Sequence, residues 1–168
     1  MAIISTDIVY RLSGGSSNTD PNASLGGVKS LTAIGAGLHN LFDVVGSAES
    51  SAGDTEYRCF YVHNAHATLT MQNSVVWIQS NTTSADTSIE IALGSSVVNG
   101  TEQTVANEST APTGVTFSSP ANQGAALSIG NIPPGEHKAI WVKRIVNAGA
   151  AAYNNDTATI RIQCDTVA

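Results

Sequence analysis

His63 and His66, three residues apart, are the one pair in the chain whose spacing resembles a metal-ligand motif. A closed zinc site needs four ligands, and no nearby carboxylate or well-spaced cysteine pair completes one, so the two read as polar residues of a turn. Asp54 and Glu56 could touch Ca²⁺ together with loop carbonyls. The Asp-x-Asp-x-Asp-Gly run of a calcium loop is missing, however, and the pair reads as the solvated start of a strand. No serine sits in Gly-x-Ser-x-Gly, and no Ser or Cys can be matched from sequence to a His and Asp that would activate it. Gly26-Gly27 followed by Lys29-Ser30 imitates the end of a phosphate loop without its leading spacing, and Gly14-Gly15 lacks the following Lys-Ser/Thr altogether. These residues point to no enzyme, no cofactor and no metal.

Trp77 and Trp141 each lie mid-run among aliphatic residues and read as core rather than as a platform for stacking sugars, with each indole N–H expected to find a partner at the sheet edge. Cys59 and Cys164 fall at alternating positions of expected strands and read as buried thiols, with a bridge between them as the alternative. Five Asn-x-Ser/Thr triplets, at Asn22, Asn81, Asn99, Asn107 and Asn155, reflect loops rich in Asn, Ser and Thr.

The bulk properties narrow the function further. A length of 168 residues suits one domain with a real core. Charged residues make up only 12% of the chain against 42% hydrophobic, so Ser, Thr, Asn, Gly and Ala carry its solubility. Short neutral side chains pack against a partner at lower entropic and desolvation cost than Lys or Glu, and such a surface suits life inside an assembly. A net charge of −6 and a sequence pI near 4.9 argue against phosphate neutralisation, and so against nucleic acid as partner. No stretch approaches the apolar length of a membrane span, and the start MAIISTDIVYRL is unlike a secretion signal, so the expectation is a soluble chain made in the cytoplasm.

The elements that must position all this are extended. Thr55 to Ser80 reads as two strands hinged at Asn64, a residue that tolerates left-handed turns, and the other strands are expected to add to that pair. Ser5 to Leu12, Ser88 to Leu93 and Thr157 to Cys164 alternate, Lys138 to Val146 is apolar on both faces, and Glu102 to Ala106, Val115 to Phe117 and Ala126 to Ile129 are short candidates. Pro133-Pro134-Gly135 is the strongest turn signal. Gly46 to Asp54 is a loop by composition, and Val28 to Val45 a loose crossover with one short turn near His39 to Phe42. The pattern predicts an all-β, antiparallel β-sandwich, jelly-roll or Ig-like, over residues 28–168. Before it, residues 1–27 form a strand and an extended polar arm. Ile3, Ile4, Ser13, Gly14, Gly15 and Leu25 are the candidate partner contacts of that arm.

The stretches YRLSGGSSNTDPNASLGG, GDTEYRCFYVHN and IGNIPPGEHKAIWVKRIV together resemble small virion proteins of tailed bacteriophages, of the type that decorates or cements the capsid. The resemblance covers most of the chain, and its motifs are structural rather than catalytic. It implies a structural β-sandwich protein of the virion, made in the host cytoplasm. Such a protein binds the outer surface of the shell, with the major capsid protein as partner, usually as a homo-oligomer, here a dimer or trimer. It acts without chemistry, nucleic acid or membrane. Another virion component (tail, neck or head-fibre protein) and a carbohydrate-binding β-sandwich module are the competing expectations.

Overall fold

The structure, a computed structural model, describes residues 2–166. Among these residues nine strands form three antiparallel sheets: β1 (Ile8–Leu12), β2 (Gly26–Gly27), β3 (Asp54–Asn64), β4 (Met71–Ser80), β5 (Thr87–Leu93), β6 (Glu102–Thr104), β7 (Leu127–Ile132), β8 (His137–Val146) and β9 (Thr159–Asp165). The largest sheet has the order β1-β3-β8-β5, a second has β7-β4-β9, and β2 and β6 make a small ribbon. The all-β reading of the sequence therefore holds.

Alternation in the central strands explains why the four-stranded sheet is buried on both sides. In β3, Phe60 and Val62 face one apolar cluster while Cys59 and Tyr61 face another; in β8, Ile140 and Val142 divide from Ala139 and Trp141 in the same way. The first cluster also takes Met71, Val76 and Ile78 from β4, Ile129 and Ile132 from β7 and Ile162 from β9, so the two larger sheets share one core. Leu25, Val115 and Phe117 cover the second cluster from the opposite side.

Several local readings need correction. The two strands of Thr55 to Ser80 do not pair: β3 pairs with β1 and β8, whereas β4 pairs with β7 and β9. Asn64 ends β3 through its side-chain amide, which donates to the Leu69 and Ile132 carbonyls (both 2.8 Å) and accepts from His66 N (3.0 Å); it is not among the residues with positive φ. The segment read as a loop before β3 holds a short helix, α1 (Ser47–Ala52), in which the Glu49 side chain caps Gly46 N. Val115 to Phe117 is not a strand; the neighbouring Ser118 makes a single bridge to Ile91. Expectations do hold at the Pro133 turn, where Gly135 has φ 78° and Glu136 N donates to Pro133 O, and at the last strand, where Ile162 belongs to the first cluster and Ile160, Cys164 and the preceding Ala158 pack against it. Cys59 and Cys164 are both free and lie in different clusters.

The segment expected as an extended arm lies against the four-stranded sheet. Its path is set by a helical turn at Pro21–Ala23, capped by Asp20, and by hydrogen bonds from Cys59 N to Ser24 O (2.8 Å) and from Val105 N to Leu25 O (3.0 Å). The buried Ser13 hydroxyl donates to Cys59 O (2.8 Å) and accepts from Gly26 N (3.0 Å), joining the two ends of the segment. A polar sequence is compatible with this packed position because its buried backbone groups find partners.

Candidate functional site

The contacts expected of the N-terminal region separate into three places. Gly14, Gly15 and Leu25 line one groove of about 620 Å³, together with Gly26, Gly27 and Val28 on one side and Thr101, Thr104, Val105 and Ala106 on the other. Ser13 lies beneath it, fully buried, holding Gly26 in place. Ile3 packs against the first apolar cluster, and Ile4 is 60% exposed beside Asp7, whose carboxylate accepts from Ile4 N. No residue lining the groove carries a charge. Glu102 to Ala106 reads as a short strand in the sequence, but its place as the second wall was not legible there; only the pairing of β2 with β6 brings it to the groove.

The wall containing β6 is fixed by a carboxylate. Glu102 is buried and accepts from Ser95 Oγ (2.8 Å) and Ser96 N (2.9 Å), while its own N–H donates to Tyr61 Oη (3.0 Å), which in turn donates to Gly27 O. Burial by itself would raise this carboxyl; the Ser95 and Ser96 donors outweigh it and hold the pKa at about 2. The Trp141 indole N–H, which has no well-aligned partner, faces the same carboxylate and adds to the lowering. Both tryptophans are buried, Trp141 completely and Trp77 under the Arg161 guanidinium, 5.7 Å from its ring centre.

His63 and His66 do not converge. His66 Nδ1 accepts from Thr68 N (3.1 Å) and Leu69 N (2.9 Å), closing the turn, while His63 Nδ1 lies 3.1 Å from Glu136 O. His63 is instead the cross-strand partner of His137, whose ring stands edge-on to Tyr61 at 4.9 Å. Burial, with Lys29 nearby, pulls His137 down to about 4. The two groups give acid sensitivity of one sign. His137 stays neutral in the fold but gains a proton when unfolded, so its stabilisation is present above pH 6.5 and is lost as pH falls from 6.5 toward 4. Glu102 stays ionised in the fold, so its stabilisation is present above pH 4.5 and is lost between 4.5 and about 2. Urea midpoints should therefore fall continuously from neutral pH into acid, and His137→Gln should flatten the upper part of that decline. A midpoint unchanged down to pH 5 would contradict the assignment.

Among the described residues, one group of three possible metal ligands comes together: Asp43, Glu56 and Glu108, with oxygens within 4.8 Å of one another. Glu56 is 1% exposed, which corrects its reading as a solvated strand start. Two guanidinium groups already supply the positive charge there. Arg58, fully buried, donates to Glu108 Oε2 (2.5 Å) and lies 3.8 Å from Glu56 Oε1, and Arg144 pairs with Glu56 Oε2 and Asp43 Oδ1. Phe42 contacts both, its ring centre 5.5 Å from the Arg58 guanidinium carbon and 4.9 Å from that of Arg144. The cluster is a clamp that ties the 34–45 segment to β3 and β8. Asp54 stands apart from it and accepts from Thr55 N.

No protein-family model, curated protein or solved structure matches the chain.

Proposed function

We propose that the chain is a decoration, or cement, protein of a tailed-bacteriophage capsid. On this reading its two larger sheets are the layers of a β-sandwich, and its first 27 residues belong to the contact surface. It attaches to the outer face of the shell through the major capsid protein, as a homo-oligomer, and stabilises the particle by repeated non-covalent contacts without catalysis. One observation carries the reading: the groove that gathers Gly14, Gly15 and Leu25 is bordered only by Gly, Ala, Thr, Val and Leu side chains. A surface of this kind excludes charge and offers backbone at close range, which suits the seating of a neighbouring protein segment. Exposed apolar residues in the same part of the chain, Ile4 at 60%, Val28 at 49% and Leu31 at 72%, extend the area available for contact.

Placing a charge in the groove tests the proposal. Thr101 and Thr104 are exposed on its wall, so Thr101→Lys and Thr104→Lys should leave thermal unfolding within the range of ordinary surface substitutions, about 0.5 kcal/mol. Co-sedimentation with empty shells of the same virion should weaken at least tenfold, ~1.4 kcal/mol. Shells without the protein should also break at lower temperature. Undiminished attachment of both variants, or equal survival of shells with and without the protein, would sink the proposal.

A further inference from the structure

A second, larger cavity lies on the opposite side of the four-stranded sheet from the groove. It has a volume of about 1090 Å³ and opens between the 34–45 segment and the 150–158 loop. Its inner end reaches Phe60, Ile89 and Val142 of the first apolar cluster. Ile34, Leu41 and Phe42 form one wall, and Ala158 and Ile160 contribute to the other. Three of the large apolar side chains that the fold leaves exposed stand around it: Leu38 at 52%, Val44 at 67% and Tyr153 at 51%. Apolar side chains thus reach from the solvent rim to the core, with polar ones such as His39, Asn40, Asn154 and Asn155 among them, in a space just above the upper end of sites that hold small ligands, roughly 300–1,000 Å³.

The charged groups of the cleft determine which ligands it could take. Asp43, Arg144 and Asp156 are the Asp, Glu, Lys or Arg residues that line it, and each is already engaged. Arg144 donates to Glu56 Oε2 (2.5 Å) and Asp43 O (2.6 Å), and its remaining nitrogen pairs with Asp43 Oδ1 (3.3 Å). Asp156 accepts from Thr83 N (2.8 Å), Ser84 N (2.9 Å) and Thr87 Oγ1. An anionic head group would have to compete with two carboxylates for Arg144, and a cationic one would have to take Asp156 from three donors. Either would lose water without gaining an unengaged Asp, Glu, Lys or Arg partner, and the polar groups left to it are side chains such as His39, Asn40, Asn154 and Asn155. An uncharged chain or ring system gains burial from the walls and gives up little.

We propose that this cleft is a binding site for a neutral, elongated apolar molecule, of the class of long-chain alcohols or other uncharged acyl and isoprenoid compounds. The cleft shares no residue with the groove assigned to shell attachment, and Tyr10 is the one residue of the first 27 that lines it, so either assignment can fail without the other.

Titration with the neutral dye Nile red, followed by displacement, tests the site. Expected is saturable, one-to-one binding with a blue-shifted emission, reversed by dodecanol and at least about tenfold less readily by dodecanoate at pH 8. Two substitutions should obstruct the cleft. Gly35 lines it, its φ is outside the left-handed region, and a Cβ there meets nothing within 4 Å, so Gly35→Trp adds bulk without backbone strain. Ala152→Trp does the same from the opposite loop. Each should weaken dye binding at least about tenfold, whereas Leu31→Ser, outside the cleft, should leave it unchanged. The proposal is overturned by absence of saturable binding, by full affinity in both tryptophan variants, or by tighter binding of dodecanoate than of dodecanol. It is equally overturned if sedimentation shows the chain self-associating through this face and excluding the dye, since the occupant would then be a second copy.

Discussion

Replacing Arg144 by Met should destabilise the fold by about 3–5 kcal/mol, because it leaves the Glu56 carboxylate buried without its closest counter-charge. Glu56 is 1% exposed and Arg144 has a side chain 11% exposed, so solvent does little to screen the pair. Among the described residues, Arg58 is the one other cation that pairs with Glu56; it stands 3.8 Å from Oε1, an atom with no hydrogen-bond partner. Methionine keeps the aliphatic stem, so the loss reports the charge and its hydrogen bonds rather than a cavity. The 34–45 segment should also loosen, since Arg144 donates to the Asp43 carbonyl at 2.6 Å and contacts Phe42. The pH dependence gives a second signature. Burial pushes the Glu56 carboxyl up, and the coulombic pull of Arg144, its hydrogen bond and Arg58 oppose that rise. Without Arg144 the native carboxyl rises further above its unfolded value and binds a proton more readily in the fold. The deficit of the variant should therefore be largest at neutral pH and shrink as the solution approaches the ordinary carboxylate range. The double variant Arg144→Met with Glu56→Leu removes both charges and should recover most of the loss, as buried pairs replaced by apolar residues commonly do. Urea denaturation of the two variants at pH 7 and pH 5 measures all of this; a loss under about 1 kcal/mol, with no rescue, would show that the pair is not the clamp described.

That clamp was invisible in the sequence, and the reason is physical. Glu56 and Arg58 flank Tyr57 in a run of β-formers, where alternation places the two charges on one face of β3 but does not say that the 34–45 segment will cover that face. Strand existence was legible because β-branched and aromatic residues alternate with polar ones in β1, β5 and β9, and because β8 is apolar on both sides. Strand partnership was not. A period of two specifies faces, and the polar turn at Asn64 to Thr70 serves a crossing between sheets as well as a hairpin. The helix α1 is not legible because Ser-Ala-Glu-Ser-Ser-Ala has no apolar stripe; it forms locally, on the Glu49 cap and the Gly53 terminus. The polar stretch Ser13 to Gly27 looked free because its composition suits solvent. Buried Ser13 and Ser24 show how such a stretch packs instead, through hydroxyl and carbonyl bonds to the backbone of β3.

Gly26 is where that packing is least tolerant, and Gly26→Ala should cost roughly 2–5 kcal/mol. The residue has φ 92°, a conformation that costs an L-residue about 1–2 kcal/mol. A Cβ built there would lie 1.9 Å from Gln103 O and 3.1 Å from the Trp141 ring. The carbonyl cannot swing away cheaply, because Gln103 sits between Glu102 and Thr104, the two β6 residues paired with β2, and Val105 N is bonded to Leu25 O. Relief requires opening the ribbon, and overpacking of that kind adds about 1–3 kcal/mol. Gly15→Ala separates the two contributions. Gly15 has φ 121° but nothing within 4 Å of its Cβ, so that variant should show the conformational cost alone. Both glycines line the same groove, yet of the two only Gly26 pairs with β6, at Thr104, and adjoins Gly27, whose carbonyl accepts from the Tyr61 hydroxyl of the network beneath. If the proposed function holds, Gly26→Ala should also weaken shell attachment at temperatures where the protein remains folded, by displacing the wall that Thr101 and Thr104 present. Chemical denaturation of the two variants side by side decides the point: equal losses would mean that the close approach of Gly26 to Gln103 does not constrain the groove.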